Sequence, residues 1–209
     1  EAVTFAQAAT LPVAGLTALY ALRKRGALLQ RRVLVTGATG GVGDYALQLA
    51  HLAGAQVIAN VRRADQVAVV TRLGAAAAVL GDTPAAFSQQ APYDLIIDSV
   101  GGQTLASALG VLARDGVCVA LGISASGDTT FDVRRFFTTG RAMLYGFILF
   151  EELALEPASV GLAHLAALVA AGQLRPTISV EAPWGQIAEV ARQLIDRTFA
   201  GKAVLHIAA

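Results

Sequence analysis

Three small residues at fixed spacing mark the part of the chain that could do chemistry. Ala38, Gly40 and Gly43 occupy the positions of a G-x-G-x-x-G fingerprint, with alanine in place of the first glycine. In that fingerprint the middle glycine lets the backbone approach a pyrophosphate, and the last lets a helix pack closely on a strand. The first amides of the following helix, with their partial positive charge, then bind the anion. The spacing therefore predicts a dinucleotide-binding loop.

A second group of candidate residues follows the next apolar run, in the segment AQVIANVRRADQ. Arg62 and Arg63 stand there, about 20 residues beyond the glycines, where NAD-binding proteins commonly place Asp or Glu. A carboxylate would repel a 2′-phosphate, whereas a guanidinium can bind it through two hydrogen bonds. Two solvated arginines in a surface turn are the alternative interpretation. The offset favours NADP over NAD, so we predict NADPH as the cofactor.

Cysteine and histidine do not predict a metal site. Cys118 is the single cysteine and lies in the apolar run VCVAL, which is typical of a buried, unreactive thiol. His51, His164 and His206 share no ligand spacing with one another. We therefore expect no metal.

Short β-branched runs alternate with helical patterns around these residues. The predicted strands are Val33–Thr36, Gln56–Asn60, Ala77–Leu80, Leu95–Asp98, Val117–Leu121 and Met143–Ile148. Several are apolar throughout, as strands are when helices cover both faces of a sheet. Between them apolar residues recur at helical spacing, for example Leu105, Leu109 and Leu112. The alternation predicts an α/β fold with a doubly wound (Rossmann), mostly parallel six-stranded sheet.

Two regions lie outside this alternation. We expect a helix over Leu11–Leu22, entered near Pro12, and one longer helix over Glu151–Ala171. From about Gln173 the pattern predicts a strand–helix–strand appendage, with its elements at Thr177–Val180, around Ile187–Ile195 and at Ala203–Ile207. The predicted domains are residues 1–172, a dinucleotide-binding domain with a leading helix, and 173–209, a C-terminal segment.

Composition excludes several classes of function. The 209 residues are 55% hydrophobic and 15% charged, with a net charge of +1 and no basic block that would indicate nucleic acid or an anionic membrane surface. Gly, Asp or Arg interrupts each apolar run before it reaches spanning length, and no signal peptide follows Glu1. We expect a cytoplasmic protein with no nucleic-acid or membrane partner.

Together the segments resemble the medium-chain dehydrogenase/reductase superfamily, most closely its zinc-free quinone oxidoreductase and enoyl reductase branches. The matching segments are LPVAGLTALYAL, GATGGVGDYALQLAHLAGAQVIA, YDLIIDSVGG, GVCVALG and GKAVL, in the family's order over nearly the whole chain. The resemblance implies transfer of a hydride from NADPH to an electron-poor double bond in a quinone, enone or enoyl thioester. A free-standing reductase and an enoyl reductase domain of a larger synthase both fit it.

The resemblance also implies roles for individual residues. The pyrophosphate would lie among Ala38, Thr39, Gly40, Gly41, Val42 and Gly43. The nicotinamide half would be lined by Thr17, Val100, Gly101, Leu121, Gly122 and Phe147. The edge segment Ala142–Phe150 would pair with its twin in a homodimer. No residue is assigned as a proton donor.

The chain departs from the family's pattern in three places. Gln66 and Leu80 stand where members often have a lysine and a tyrosine that help hold the 2′-phosphate. Nothing before the Leu11 helix corresponds to the family's GroES-like domain, to which the segment from Gln173 would return. We therefore expect a cofactor half that binds NADPH but turns over near background alone. An NADPH-binding module or sensor without turnover is the alternative.

The loop VTGATGGVG also resembles that of short-chain dehydrogenases, which need a Tyr-x-x-x-Lys pair beyond the loop. Tyr20 and Lys24 have this spacing but precede the loop, so we interpret the pair as coincidence.

Overall fold

A single six-stranded parallel sheet forms the centre of the molecule. The computed structural model describes residues 2–207. The strands are β1 (Arg32–Val35), β2 (Gln56–Val61), β3 (Ala77–Leu80), β4 (Tyr93–Asp98), β5 (Leu112–Ala120) and β6 (Met143–Gly146). Their spatial order is β3-β2-β1-β4-β5-β6. Since the order reverses between β1 and β4, the sheet is doubly wound, as predicted.

Helices cover both faces of the sheet. They are α1 (Phe5–Arg23), α2 (Gly41–Leu52), α3 (Val67–Arg72), α4 (Pro84–Ser88), α5 (Gly102–Leu109), α6 (Val133–Thr138), α7 (Leu149–Glu152), α8 (Ala158–Ala170) and α9 (Ile187–Ile195). Along β1, Val33 and Val35 belong to one buried cluster while Leu34 belongs to the other. Successive strand side chains point to opposite faces, so an apolar strand contributes to both cores.

The first helix begins earlier than predicted. It starts at Phe5, because Thr4 and Gln7 form a capping box in which each side chain bonds the other's backbone amide. Pro12 lies inside the helix, in a π-helical turn over Leu11–Gly15. A wider turn accommodates a proline that can donate no backbone hydrogen bond. The prediction of an entry near Pro12 was therefore wrong.

The same helix bears on the expectation that no apolar run reaches membrane-spanning length. Among the described residues α1 is long and apolar enough to cross a membrane by length and composition. Most of it is buried inside the protein, as the core helix of a globular domain would be.

The long helix predicted over Glu151–Ala171 is two helices. α7 ends at Glu152, and α8 begins at Ala158 with Pro157 in a non-helical conformation before it. A proline disfavours helical conformation in the preceding residue, which explains the break. The prediction also failed at Leu112, which opens β5 rather than ending a helix.

The C-terminal segment forms a second, small sheet. β7 (Ile178–Pro183) and β8 (Lys202–His206) pair in parallel, with α9 as the crossover between them. Leu174, just before β7, is buried in the core of the main sheet. On α9, Leu194 and Ile195 are exposed. The predicted strand–helix–strand appendage is confirmed.

Candidate dinucleotide-binding site

Most of the predicted site residues lie along the side of the main sheet where the carboxyl ends of its strands meet. They follow the carboxyl ends of β1, β2, β4, β5 and β6. In open α/β sheets ligands bind at this edge, where the strand order reverses, which here lies between β1 and β4. The exception is Thr17, which is buried on α1.

The loop between β1 and α2 together with the first residues of α2, residues 36–43, is called the glycine loop below. Gly43 lies so close to the end of β1 that an added Cβ would be 2.7 Å from Cα of Ala38. This is the close approach of helix and strand that the last fingerprint glycine permits. Gly40 is exposed at the loop's outer side. The first hydrogen bond into α2 runs from the Asp44 amide to the Gly40 carbonyl, at 2.9 Å. The amides of Gly41, Val42 and Gly43 precede that bond and resemble an anion-binding site.

Asp44, in the first turn of α2, carries a carboxyl group in this same region. It is 3% exposed, and its Oδ1 accepts a hydrogen bond from Nε2 of Gln48 at 2.8 Å. Burial raises the pKa of the Asp44 carboxyl, with hydrogen bonding by Thr177 and Gln48 in opposition. The carboxyl group is therefore held inside the protein by Gln48 rather than displayed to a ligand.

The segment after β2, residues 62–66, is called the arginine loop below. Its two arginines differ. Arg63 donates two hydrogen bonds to the Asp65 carboxylate, at 3.0 and 3.1 Å. Within residues 2–207 the Arg62 side chain makes no hydrogen bond or ion pair. Arg62 is therefore free to bind an anion, while Arg63 is already occupied.

Gln66 connects the arginine loop to the glycine loop. Its Oε1 accepts hydrogen bonds from the backbone amides of Arg62 and Arg63, at 3.1 and 3.2 Å. Its Nε2 donates to Oγ1 of Thr39 at 3.4 Å. Gln66 thus holds the two loops together. Leu80, the other departure, is exposed at the end of β3.

A buried carboxylate organises the loop after β4. Asp98 is fully buried and accepts hydrogen bonds from the Thr36 hydroxyl at 2.6 Å and from the Gly101 amide at 2.9 Å. Burial raises the pKa of Asp98, while those hydrogen bonds act in the opposite direction. Ser99 adds a bond from its Oγ to the Thr36 carbonyl, at 3.0 Å. Sequence reasoning missed this network, although the paired polar residues at two strand ends, Thr36 and Asp98, were a usable signal.

Four of the six predicted nicotinamide residues, Val100, Gly101, Leu121 and Gly122, lie on two loops that pair with each other. Gly101 forms an isolated parallel bridge with Ser126, and the Ala125 amide bonds the Val100 carbonyl at 2.9 Å. Gly122 packs against Ser99 so closely that an added Cβ would lie 3.0 Å from its Cα. Leu121 bonds the Asp98 carbonyl. The loops after β4 and β5 therefore form one continuous ledge beside the glycine loop.

Phe147 follows β6 on the far side of that ledge. Its amide bonds the Ala120 carbonyl at 2.9 Å, and its side chain is 5% exposed within the main core. Cys118 is fully buried, and burial raises the pKa of its thiol, consistent with an unreactive group. In residues 2–207 no group of three or more His, Cys, Asp or Glu side chains could hold a metal ion.

Comparison with known proteins identifies the family. The sequence model of the family described as zinc-binding dehydrogenase matches residues 41–178. The chain belongs to this family. The resemblance to the medium-chain dehydrogenase/reductase superfamily, in its quinone oxidoreductase branch, is thereby confirmed. The family's description names zinc, and among residues 2–207 no group of three or more His, Cys, Asp or Glu side chains could hold it.

Several proteins similar to this chain align with nearly all of it. The mitochondrial NAD(P)H oxidoreductase RTN4IP1 of Bos taurus is 29% identical over 233 residues, covering 99% of this chain and 57% of that protein. The chloroplast envelope quinone oxidoreductase homolog of Arabidopsis thaliana is 29% identical over 215 residues, covering 98% and 63%. The solved quinone oxidoreductase of Coxiella burnetii superposes with a TM-score of 0.78 at 28% identity, covering 100% and 62%. The chain therefore spans less than two thirds of the length of each.

Proposed function

We propose that the chain is the cofactor-binding part of an NADPH-dependent, zinc-free quinone or enone/enoyl reductase. The observation that carries this proposal is the free Arg62 guanidinium at the end of β2, beside a glycine loop with the fingerprint spacing. When bound, the nicotinamide would supply a hydride to an electron-poor double bond.

Each part of the site would have its own task. The first amides of α2 would bind the pyrophosphate, and Arg62 would bind the 2′-phosphate that distinguishes NADPH from NADH. The ledge of Val100, Gly101, Leu121 and Gly122, held by Asp98, would shape the nicotinamide side. The fit is supported by the solvent exposure of Gly40 and by the absence of an acidic residue at positions 62 and 63.

The acceptor is proposed from the relatives' names. Two of them are called quinone oxidoreductases. Quinones, enones and enoyl thioesters share an electron-poor double bond to which a hydride can add, so all three belong to the proposed substrate class.

We also propose separate roles for the two predicted domains of the chain. Residues 1–172 would bind the cofactor, and 173–209 would return to a catalytic domain that forms the opposite wall of the cleft. The exposed Leu194 and Ile195 on α9 support a partner surface there. Because positioning of substrate can supply about 7–11 kcal/mol of barrier lowering, this chain alone should bind NADPH but turn over near background.

We also propose a homodimer through the edge segment Ala142–Phe150. β6 is the last strand of the sheet, and Met143, Leu144, Ile148 and Phe150 are exposed around it. An apolar edge strand favours pairing with another strand. A monomer by light scattering at high micromolar concentration would argue against the dimer. A cytoplasmic location stays a prediction, since the names of two relatives refer to mitochondria and the chloroplast envelope.

Calorimetric titration of the chain with NADPH and NADH tests the proposal. We expect binding of both, with NADPH roughly ten- to a hundredfold tighter, as one charge-assisted contact implies. NADPH consumption should then be assayed with quinones and enones, for this chain and for the full product of its gene. Tighter binding of NADH than of NADPH would contradict the cofactor assignment.

An NADPH-binding module without turnover is the second candidate, since a fold does not determine function. It is favoured by the lack of an assignable proton donor at the described site. Brisk NADPH consumption by the full gene product with any of these acceptors would eliminate it.

A further inference from the structure

The dinucleotide fingerprint does not require a glycine at position 41, which lies between its second and third glycines. The backbone φ of Gly41 lies outside the left-handed region, so any residue could adopt its conformation. An added Cβ would nevertheless lie 3.0 Å from Cδ and 3.4 Å from Nζ of Lys202. The space that a side chain would fill at the start of α2 is therefore occupied by a lysine from the last strand of the chain.

The backbone around Lys202 is fixed against the glycine loop. The Gly201 amide bonds the Thr39 carbonyl at 3.3 Å, and the Lys202 amide bonds the Thr177 carbonyl at 2.8 Å. Nearby, the Arg175 amide bonds Oε1 of Gln48 at 2.9 Å. The C-terminal segment is thus attached to α2 and the glycine loop at several points. These hydrogen bonds fix the backbone of Lys202 next to the start of α2.

The charge of Lys202 has no counter-charge in the described part of the chain. Its ammonium group has no carboxylate within ion-pair distance and no hydrogen-bond partner among residues 2–207. Burial lowers the pKa of Lys202, as expected for a partly desolvated cation. Such a group is stabilised by an anion placed next to it.

We propose that Lys202, from the closing strand, binds the dinucleotide's pyrophosphate together with the first amides of α2. This inference rests on the proposed function, since it concerns the same site. It adds a ligand from the C-terminal segment, so cofactor binding would also fasten that segment to the dinucleotide-binding domain. Gly41 is then small so that the lysine can cross the start of α2.

Lysine footprinting tests the proposal on the unmutated protein. Lys24 and Lys202 are the lysines of the sequence, and Lys24 is ion-paired with Glu152 at 2.5 Å. Acetylation would be followed at both by mass spectrometry, with and without ADP-ribose, which carries the pyrophosphate but no 2′-phosphate. We expect ADP-ribose to slow acetylation of Lys202 several-fold and to leave Lys24 unchanged. Equal rates at Lys202 with and without saturating ADP-ribose would overturn the proposal.

Calorimetry of variants separates this inference from the proposed function. Lys202→Met keeps the aliphatic stem and should weaken ADP-ribose, NADH and NADPH alike by about tenfold, one charge-assisted contact. Arg192→Met removes a charge from an exposed pair with Glu189 in the same segment and should change nothing. Unchanged affinity of Lys202→Met would overturn the inference and leave the proposed function standing. Failure of the unmutated protein to bind any of the three ligands would overturn the proposed function itself.

Gly41→Ala provides a second variant. Its Cβ should push the Lys202 stem aside and cause a similar loss. Because both changes remove one contact, the double variant should lose little more than either single variant. Full additivity of the two losses would contradict a shared contact.

Discussion

The glycine loop and the arginine loop lie side by side on one sheet edge, yet they are built in opposite ways. The glycine loop is enclosed on its inner side, where Ala38 and Gly43 pack tightly and Asp44 is buried behind them, and only its outer side, at Gly40, is exposed. The arginine loop is exposed, and its charges meet only each other or solvent. The enclosed loop is shaped by packing and the exposed loop by side-chain chemistry. We infer that the first decides whether a dinucleotide binds and the second decides which one.

The largest expected effect tests the enclosed loop. Gly40→Val should abolish binding of both NADPH and NADH, because the branched side chain would occupy the position of the pyrophosphate. The fold should survive, since a Cβ at Gly40 would make one tight contact, 3.1 Å from the Gly37 carbonyl oxygen, which a shift of a few tenths of an ångström would relieve. Titration of both cofactors, with thermal unfolding as the check on folding, measures this. Retained binding in the folded variant would show that the loop is only structural.

Gly43→Ala is the matched contrast. Its Cβ would lie 2.7 Å from backbone atoms of Ala38, so we expect the free energy of unfolding to fall by about 1–3 kcal/mol. If Gly40→Val destabilises the protein as much as Gly43→Ala, the two glycines do not have separate roles.

The next effect tests the exposed loop. Arg62→Ala should weaken NADPH roughly ten- to a hundredfold and leave NADH unchanged, because only NADPH carries the 2′-phosphate. Arg63→Ala should have a smaller effect, since its guanidinium is already bound to Asp65. Calorimetry with both cofactors measures the two variants. An equal loss of NADPH affinity in both would mean that Asp65 releases Arg63 when the cofactor binds.

Enclosure also explains which parts of the molecule the sequence predicts. Apolar strands such as β1 and β4 are recognisable because burial on both faces dictates their composition. The turn at Pro12 was misinterpreted because packing decides whether a helix tolerates a proline inside it. The glycine loop follows from local spacing, whereas Lys202 reaches it only through the return of the C-terminal segment. The Gln66 contacts depend in the same way on two loops that are distant in sequence.

A smaller effect tests the connection between the two loops. Gln66→Leu keeps the size of the side chain but removes its bonds to the Arg62 and Arg63 amides and to Thr39. We expect NADPH to bind about two- to tenfold more weakly, the value of one or two neutral hydrogen bonds. NADH should be affected less, because the displaced loop carries the 2′-phosphate contact. Titration of both cofactors decides; an equal loss for NADH would assign Gln66 to the pyrophosphate side instead.

The smallest effect compares the two carboxyl groups of the loops. Burial raises the pKa of Asp44, whereas the hydrogen bonds of Arg63 lower that of the exposed Asp65. A raised pKa means that the folded state holds its proton to higher pH than the unfolded state does. The free energy of unfolding therefore falls as pH rises from the unfolded pKa to the folded pKa of Asp44. For Asp65 the sign is opposite, because its stabilisation is present above the unfolded pKa and is lost as pH falls through the lowered one.

Urea unfolding from acid to neutral pH can separate these two contributions. Asp44→Asn should remove the fall in the free energy of unfolding with rising pH. The difference in free energy of unfolding between the variant and the unmutated protein should therefore shift in favour of the variant as pH increases. For the control, Asp65→Asn, the same difference should shift weakly against the variant as pH increases. The effect is weak because solvent screens an exposed ion pair. The slopes matter rather than the absolute stabilities, because the amide can alter packing at every pH. If the free energy of unfolding of Asp44→Asn depends on pH as it does in the unmutated protein, the Asp44 carboxyl group is hydrated. The inner side of the glycine loop would then be open to water.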